Sequence, residues 1–132
     1  CNTAFGILED AILNDKFEKL ALGSLLTGLG FGNSSTTLGH ALSYVYSNEG
    51  IMHGHALSFT TLVAHKFNNS VFYKRFENIV KKLNFKKISL NLDLNTASEL
   101  ILEDKKHLDN NPIPITKNEI INLLKEINLN GQ

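Results

Sequence analysis

The sequence predicts an all-α helical bundle, and three observations lead there. Apolar residues recur at helical spacing in long stretches, helix-start signals stand ahead of several of them, and only one short segment alternates as a strand would. The 132 residues are the length of one ordinary domain. With 42% apolar and 20% charged residues, the chain has the balance of a globular protein that buries one core.

The elements follow in order. From about Phe17 to Phe31 the chain is rich in Leu, Ala and Gly, which predicts a buried helix. Gly23, Gly28, Gly30 and Gly32 each cost about 1 kcal/mol against Ala in a helix interior. Such glycines are tolerated where helices pack closely or end. Asn33-Ser34-Ser35 signals the start of another helix running to about Ser47, and Asn48-Glu49-Gly50 reads as a turn. A largely apolar helix from about Met52 to Phe67 belongs at the centre of the bundle.

The second half is more amphipathic. From Ser70, residues Phe72, Phe76, Ile79, Val80 and Leu83 share one helical face. Ile88 to Leu94 alternates apolar and polar residues; with no second strand to pair with, it reads as an extended connector. Thr96-Ala97-Ser98-Glu99 has the capping-box pattern, with Glu99 placed to reach back to the Thr96 amide, and opens a helix that fades near Asn110-Asn111. Pro112 and Pro114 interrupt helical structure. Thr116-Lys117-Asn118-Glu119 is a second capping box, ahead of the amphipathic set Ile120, Leu123, Leu124 and Ile127.

Charge excludes some functions. Thirteen basic residues offset thirteen acidic ones, so nothing points to nucleic acid or to a membrane surface. Six of the basic residues lie between Lys74 and Lys87, and read as the wet face of a helix and its exit loop rather than as an anion site. Cys1 is the single cysteine, which rules out an internal disulfide and a Cys-based zinc site and fits a reducing, cytoplasmic setting. No signal peptide and no run of about 18 apolar residues is present. The chain has no initiator Met and opens on Cys1-Asn2-Thr3, so a fragment is expected.

Five histidines carry what chemistry there is: His40, His53, His55, His65 and His107. His40 falls in the middle of one predicted helix and His53 just past the following turn. A helical hairpin brings such positions face to face, which is how bundles build metal sites. His55 is about 200° further round the helix than His53, so the two are not expected to share an ion. His65 lies about three turns further on than His55, and His107 falls in a polar helix.

The residues around these histidines resemble the iron-type (group III, metal-dependent) alcohol dehydrogenases. The stretch Gly30-Phe31-Gly32-Asn33 through Gly39-His40-Ala41-Leu42-Ser43-Tyr44 is similar to that family's G-F-x-N…H-A-L-S-H helix pair. Ile51-Met52-His53-Gly54-His55-Ala56 resembles its P-H-G-x-A motif, and Leu62 to Asn68 more loosely its L-P-H-x-x-x-F-N continuation. Asn111-Pro112-Ile113-Pro114-Ile115-Thr116 resembles the N-P-R-P-V-T run near the family's C-terminus. The four motifs occur in family order.

The resemblance implies a helical bundle equivalent to the C-terminal domain of the dehydroquinate synthase-like fold. Residues 1–132 would form one metal-binding helical domain, with the N-terminal nucleotide-binding domain absent. It implies that His40 and His53 match the last two of four metal ligands, for Fe2+ or Zn2+. It further implies NAD(P) bound through the absent domain and a small alcohol or aldehyde as substrate; a homo-oligomer stays open. Tyr44 stands where many members carry a pocket histidine, and lies one turn from His40 on the same face. The runs His-Ala-Leu-Ser-Tyr and His-Gly-His-Ala are similar to a subgroup acting on small phosphonate aldehydes.

Departures from the family pattern matter as well. The first two ligands come as Asp-x-x-x-His, but Asp10 is followed four residues later by Asn14, and Asp15 by Lys19. Gly28-Leu29-Gly30-Phe31-Gly32 follows a predicted helix, whereas a dinucleotide loop follows a strand. The spacing from His40 to His53 is one residue shorter than in the commoner members. The isolated chain is therefore expected to bind metal weakly, not to bind NAD(P)H and not to oxidise alcohols. Two other readings stay open: a non-catalytic helical domain or remnant, and a fragment of a dehydroquinate synthase-like lyase. Against the lyase, the chain lacks the second His of the L-G-H-x-x-x-H-A motif and the Glu of the H-G-E-A-V motif.

Overall fold

A computed structural model describes residues 2–31 and 36–129. The chain runs α1 (Asn2–Leu13), a single 3-10 turn (Phe17–Lys19), α2 (Leu20–Phe31), α3 (Leu38–Asn48), α4 (His53–Phe67), α5 (Tyr73–Leu83), α6 (Leu94–Glu103), α7 (Lys105–Leu108) and α8 (Lys117–Leu129). The described residues contain no strand, and the fold is all-α as the sequence predicts. Residues 32–35, which carry the predicted helix start at Asn33, lie outside the described part. Within it, α3 begins at Leu38 behind an extended Thr37.

One core organises the C-terminal two thirds. Leu38, Leu42, Val45 and Tyr46 of α3 meet Ala56, Val63 and Ala64 of α4, Ala97 and Ile101 of α6, and Ile120, Leu123, Leu124 and Ile127 of α8. The four α8 residues are those its apolar periodicity selects. Burying each such aliphatic side chain contributes about 1.5–3 kcal/mol. The Thr116–Glu119 box that opens α8 forms: the Thr116 amide donates to Glu119 Oε2 at 2.7 Å, and the Glu119 amide to Thr116 Oγ1 at 3.4 Å.

The other predicted capping box, Thr96–Glu99, does not form. The cap of α6 is Asp93, whose carboxylate accepts from the Thr96 amide at 3.0 Å, so the helix starts two residues earlier than Thr96. Asp93 outcompetes the box because its short carboxylate already reaches the third helical amide. Glu99 is left to pair with Lys117 at 2.7 Å. Residues 85–93 form neither helix nor strand. Glu49 accepts from the amides of Asn91 and Leu92, and Asn128 Oδ1 from that of Leu90, which pins this connector across α3 and α8.

A second correction concerns α2, which the sequence reads as buried. Leu22, Leu25 and Leu29 are more than half exposed. Among the described elements this helix packs chiefly on α1, so only one side of it is covered. The α1 helix is tied in turn to α5 by an Arg75–Glu9 ion pair, with the guanidinium 4.7 Å over the Phe5 ring.

Candidate metal centre

The hairpin of α3 and α4 positions the site. Gly50 closes the turn at φ +91°, a left-handed conformation that a side chain would strain. Gly39 brings the two helices into contact: a Cβ there would lie 2.9 Å from Thr61 Oγ1 and 3.1 Å from the Thr61 Cα. His40 is the next residue. Its ring centre stands 5.4 Å from that of His53 across the hairpin, with the planes at 59°.

That separation fits two imidazoles on one ion. With metal–nitrogen bonds of about 2.1 Å, two rings at a tetrahedral angle hold their centres about 5 Å apart. The hydrogen bonds leave the correct nitrogen free on His53. Ser43 Oγ donates its one proton to the His40 carbonyl at 2.8 Å and lies 3.4 Å from His53 Nδ1. The contact lies on the Nδ1 edge of the ring, and Nε2 makes no hydrogen bond among the described residues, which leaves it open to an ion. Ser47 Oγ stands 3.5 Å from the same Nδ1. Burial holds the His40 pKa below its ordinary value, and the neighbouring imidazoles of His53 and His107 push the same way. A neutral ring is the form that ligates a divalent ion.

Among the described residues, no group of three or more His, Cys, Asp or Glu side chains is arranged to hold an ion by itself. The acidic residues near the N-terminus are engaged otherwise. Asp10 accepts from Asn14 at 2.8 Å, Lys16 at 3.0 Å and Lys19 at 2.9 Å, and the two lysines hold its carboxyl well below the usual range. Asp15 pairs with Lys82. His55 faces away, its Nε2 on the Lys86 carbonyl and its ring between Phe59 and Phe85. His65 packs on Phe76.

Tyr44 lies in the cleft. Its ring stacks on His53 at 5.7 Å and tilts against His107 at 5.6 Å, and the side chain is 41% exposed. A cavity of about 530 Å³ opens on the other side of His40, lined by Thr37, Thr61, Asn68, Ser70 and Pro112 among others.

His107 goes beyond the sequence reading. The helix it falls in, α7, is polar as the sequence reads, but the side chain is buried and its ring lies 6.1 Å from His40. Asp104 holds it, both carboxylate oxygens standing 2.6 and 2.7 Å from Nδ1. The segment is pulled in by Asn111, which exchanges amide bonds with Asn68 at 2.8 and 2.9 Å and donates to the Ile113 carbonyl at 2.7 Å. Lys105 and Lys106 mask the position in the sequence. The signal that could have found it is Asp104 three residues ahead, an acidic cap able to hold the imidazole.

The sequence profile of the Fe-containing alcohol dehydrogenase family, C-terminal part, matches residues 3–103. The chain belongs to this family. Its helical bundle is that of a C-terminal domain in the Fe-containing alcohol dehydrogenases, and the match spans both α3 and α4 with His40 and His53. It ends at Glu103, one residue short of the Asp104–His107 pair. No curated protein and no solved structure matches the chain. No helix among the described residues is long and apolar enough to cross a membrane.

Proposed function

We propose that residues 1–132 are the metal-binding helical domain of an NAD(P)-dependent, divalent-metal-dependent alcohol dehydrogenase or aldehyde reductase, and that His40 and His53 are two of its ligands. The observation that carries this is the 5.4 Å approach of the two rings across the α3–α4 hairpin, with Nε2 of His53 left free. Neutral imidazoles suit Fe2+ or Zn2+. Two donors leave a four- or six-coordinate shell incomplete, so the remaining donors are assigned to other parts of the protein, together with the site for NAD(P).

When bound, such an ion supplies Lewis acidity at the alcohol oxygen. Overall the alcohol gives a hydride from carbon to NAD(P)+ and a proton from oxygen to solvent, leaving the aldehyde. The chain's own residues do the positioning. Ser43 and Ser47 hold the Nδ1 edge of His53, burial keeps His40 neutral, and Tyr44 walls the cleft where the substrate carbon sits. The narrower substrate reading is a small phosphonate aldehyde, supported by the runs from His40 to Tyr44 and from His53 to Ala56.

The test uses the full-length protein. His40→Ala and His53→Ala are each expected to lower bound iron or zinc, measured by elemental analysis, and to lower turnover together with it. Wild-type metal content in both variants would remove these histidines from the site. A substrate panel containing simple aldehydes and a phosphonate aldehyde decides the narrower reading, which fails if the phosphonate shows no advantage in kcat/KM.

A further inference from the structure

We infer that the substrate carries an uncharged tail with a further hydroxyl, and that this tail lies in the cavity behind His40, against the side-chain hydroxyls of Thr37, Thr61 and Ser70. The inference rests on the reading of His40 and His53 as ligands. It takes the tail from the chemistry of the cavity, and it parts from the phosphonate reading on the question of charge.

The cavity adjoins the centre. Its volume of about 530 Å³ suits a tail of several carbons, and His40 forms part of its wall, so a substrate oxygen held at His40 and His53 keeps the attached chain within reach of it. The close approach of α4 at Gly39, where a Cβ would stand 2.9 Å from Thr61 Oγ1, brings the Thr61 hydroxyl up to the residue before His40.

Three hydroxyls on this wall have hydrogen-bonding capacity to spare. Thr37, the N-cap of α3, makes no side-chain cap bond. Thr61 Oγ1 has no hydrogen-bond partner among the described residues. Ser70 Oγ accepts from the Phe72 amide at 3.2 Å, which leaves its own proton to give. Asn68, on the same wall, is already engaged by Asn111. A hydroxyl both donates and accepts, so a second hydroxyl is its natural complement. A purely apolar tail would displace water from these groups and leave them unpaired, which a site of this kind disfavours. Charge is what the cavity lacks. No Lys, Arg, Asp or Glu is among the described residues that line it, and burial holds the His65 pKa below its ordinary value. An ionised phosphonate seated there would give up water and meet no counter-charge. Ala64, Phe72 and Pro112 supply apolar surface for the carbon chain.

The experiment titrates the zinc-loaded, full-length protein, without cofactor, with butan-1-ol, butane-1,4-diol and 3-hydroxypropylphosphonate, followed by ligand-observed NMR. Butane-1,4-diol is expected to bind about fivefold tighter than butan-1-ol, the effect of one well-made hydrogen bond. At least one of Thr61→Val and Thr37→Val, which keep the branched shape and remove the hydroxyl, is expected to cut that advantage to about twofold or less, with zinc content at the wild-type level. The phosphonate also meets zinc through its own oxygens, so its response to the variants decides rather than its affinity, and unchanged binding in both is expected. Equal binding of butan-1-ol and butane-1,4-diol by the wild-type protein overturns the inference without needing a variant. A diol advantage that survives both substitutions overturns it by placing the second hydroxyl elsewhere. A phosphonate weakened by either substitution overturns it by putting a charged tail in the cavity. Should Thr61→Val fail to fold, Thr37→Val and the wild-type comparison carry the decision. Retention of metal in both His40→Ala and His53→Ala would instead sink the underlying reading of the centre.

Discussion

Replacing Gly39 by alanine tests whether close contact between α3 and α4 sets the geometry of the centre. The new Cβ would stand 2.9 Å from Thr61 Oγ1 and 3.1 Å from the Thr61 Cα. The hydroxyl can swing aside, but the Cα is backbone, so α4 has to move by a few tenths of an ångström. Overpacking of this kind costs about 1–3 kcal/mol. Alanine returns up to about 1 kcal/mol of helix propensity in a helix interior, and less at Gly39, the second residue of α3. The net expectation is a loss of about 1–2 kcal/mol, which for a chain of this size lowers Tm by roughly 3–8 °C. Gly54 is a matched control, also the second residue of its helix, with nothing within 4 Å of a Cβ. Thermal unfolding followed by circular dichroism decides it, with Gly54→Ala expected to leave Tm unchanged or raise it slightly. Because the contact lies next to His40, Gly39→Ala is also expected to weaken divalent-metal binding. An unchanged or higher Tm in Gly39→Ala would refute the reasoning, since propensity would then outweigh contact.

Three further outcomes follow from the fold. Asp93→Ala removes the α6 cap and is expected to cost about 1 kcal/mol in urea unfolding, whereas Glu99→Ala costs little; the reverse order would restore the Thr96–Glu99 box. Tyr46→Phe removes the bond from the buried phenol to Asn128 Oδ1 at 3.1 Å, while the Leu90 amide still serves that oxygen, so about 1 kcal/mol is lost and the connector stays in place. A collapse of the fold in Tyr46→Phe would show that the phenol carries more than one bond. For His65, burial holds the folded pKa below the ordinary value of 6.5. The unfolded chain therefore takes up a proton first, so stability is level above about pH 6.5 and falls as pH drops through it, down to the folded pKa. His65→Gln is expected to flatten part of that decline in urea midpoints measured from pH 8 to pH 5; an unchanged slope would place its origin elsewhere.

Local signals made much of this protein legible from its residues. Apolar periodicity marked α8 and its four core positions, because a 3.6-residue repeat must turn one face inward. The Thr116–Glu119 box and the Asn48–Gly50 turn are chemistry between near neighbours, so they read directly from the chain. The approach of His40 to His53 was legible too, since a tight hairpin leaves few ways to pack two apolar helices. Tertiary structure decided what sequence neighbours do not carry. Two caps competed for α6, Asp93 and the Thr96–Glu99 box, and the spacing of residues could not say that Asp93 would reach the Thr96 amide first. The apolar α2 was read as buried, but burial depends on what stands opposite, and among the described elements only α1 offers it a broad face. His107 is the sharpest case. Its neighbours Lys105 and Lys106 speak for a wet surface, yet the Asn68–Asn111 amide pair, between residues 43 positions apart, draws its segment onto the bundle beside the centre. Periodicity reports which side of a helix is apolar; which polar side chain ends up inside is set by long-range hydrogen bonds that exist only once the helices have packed.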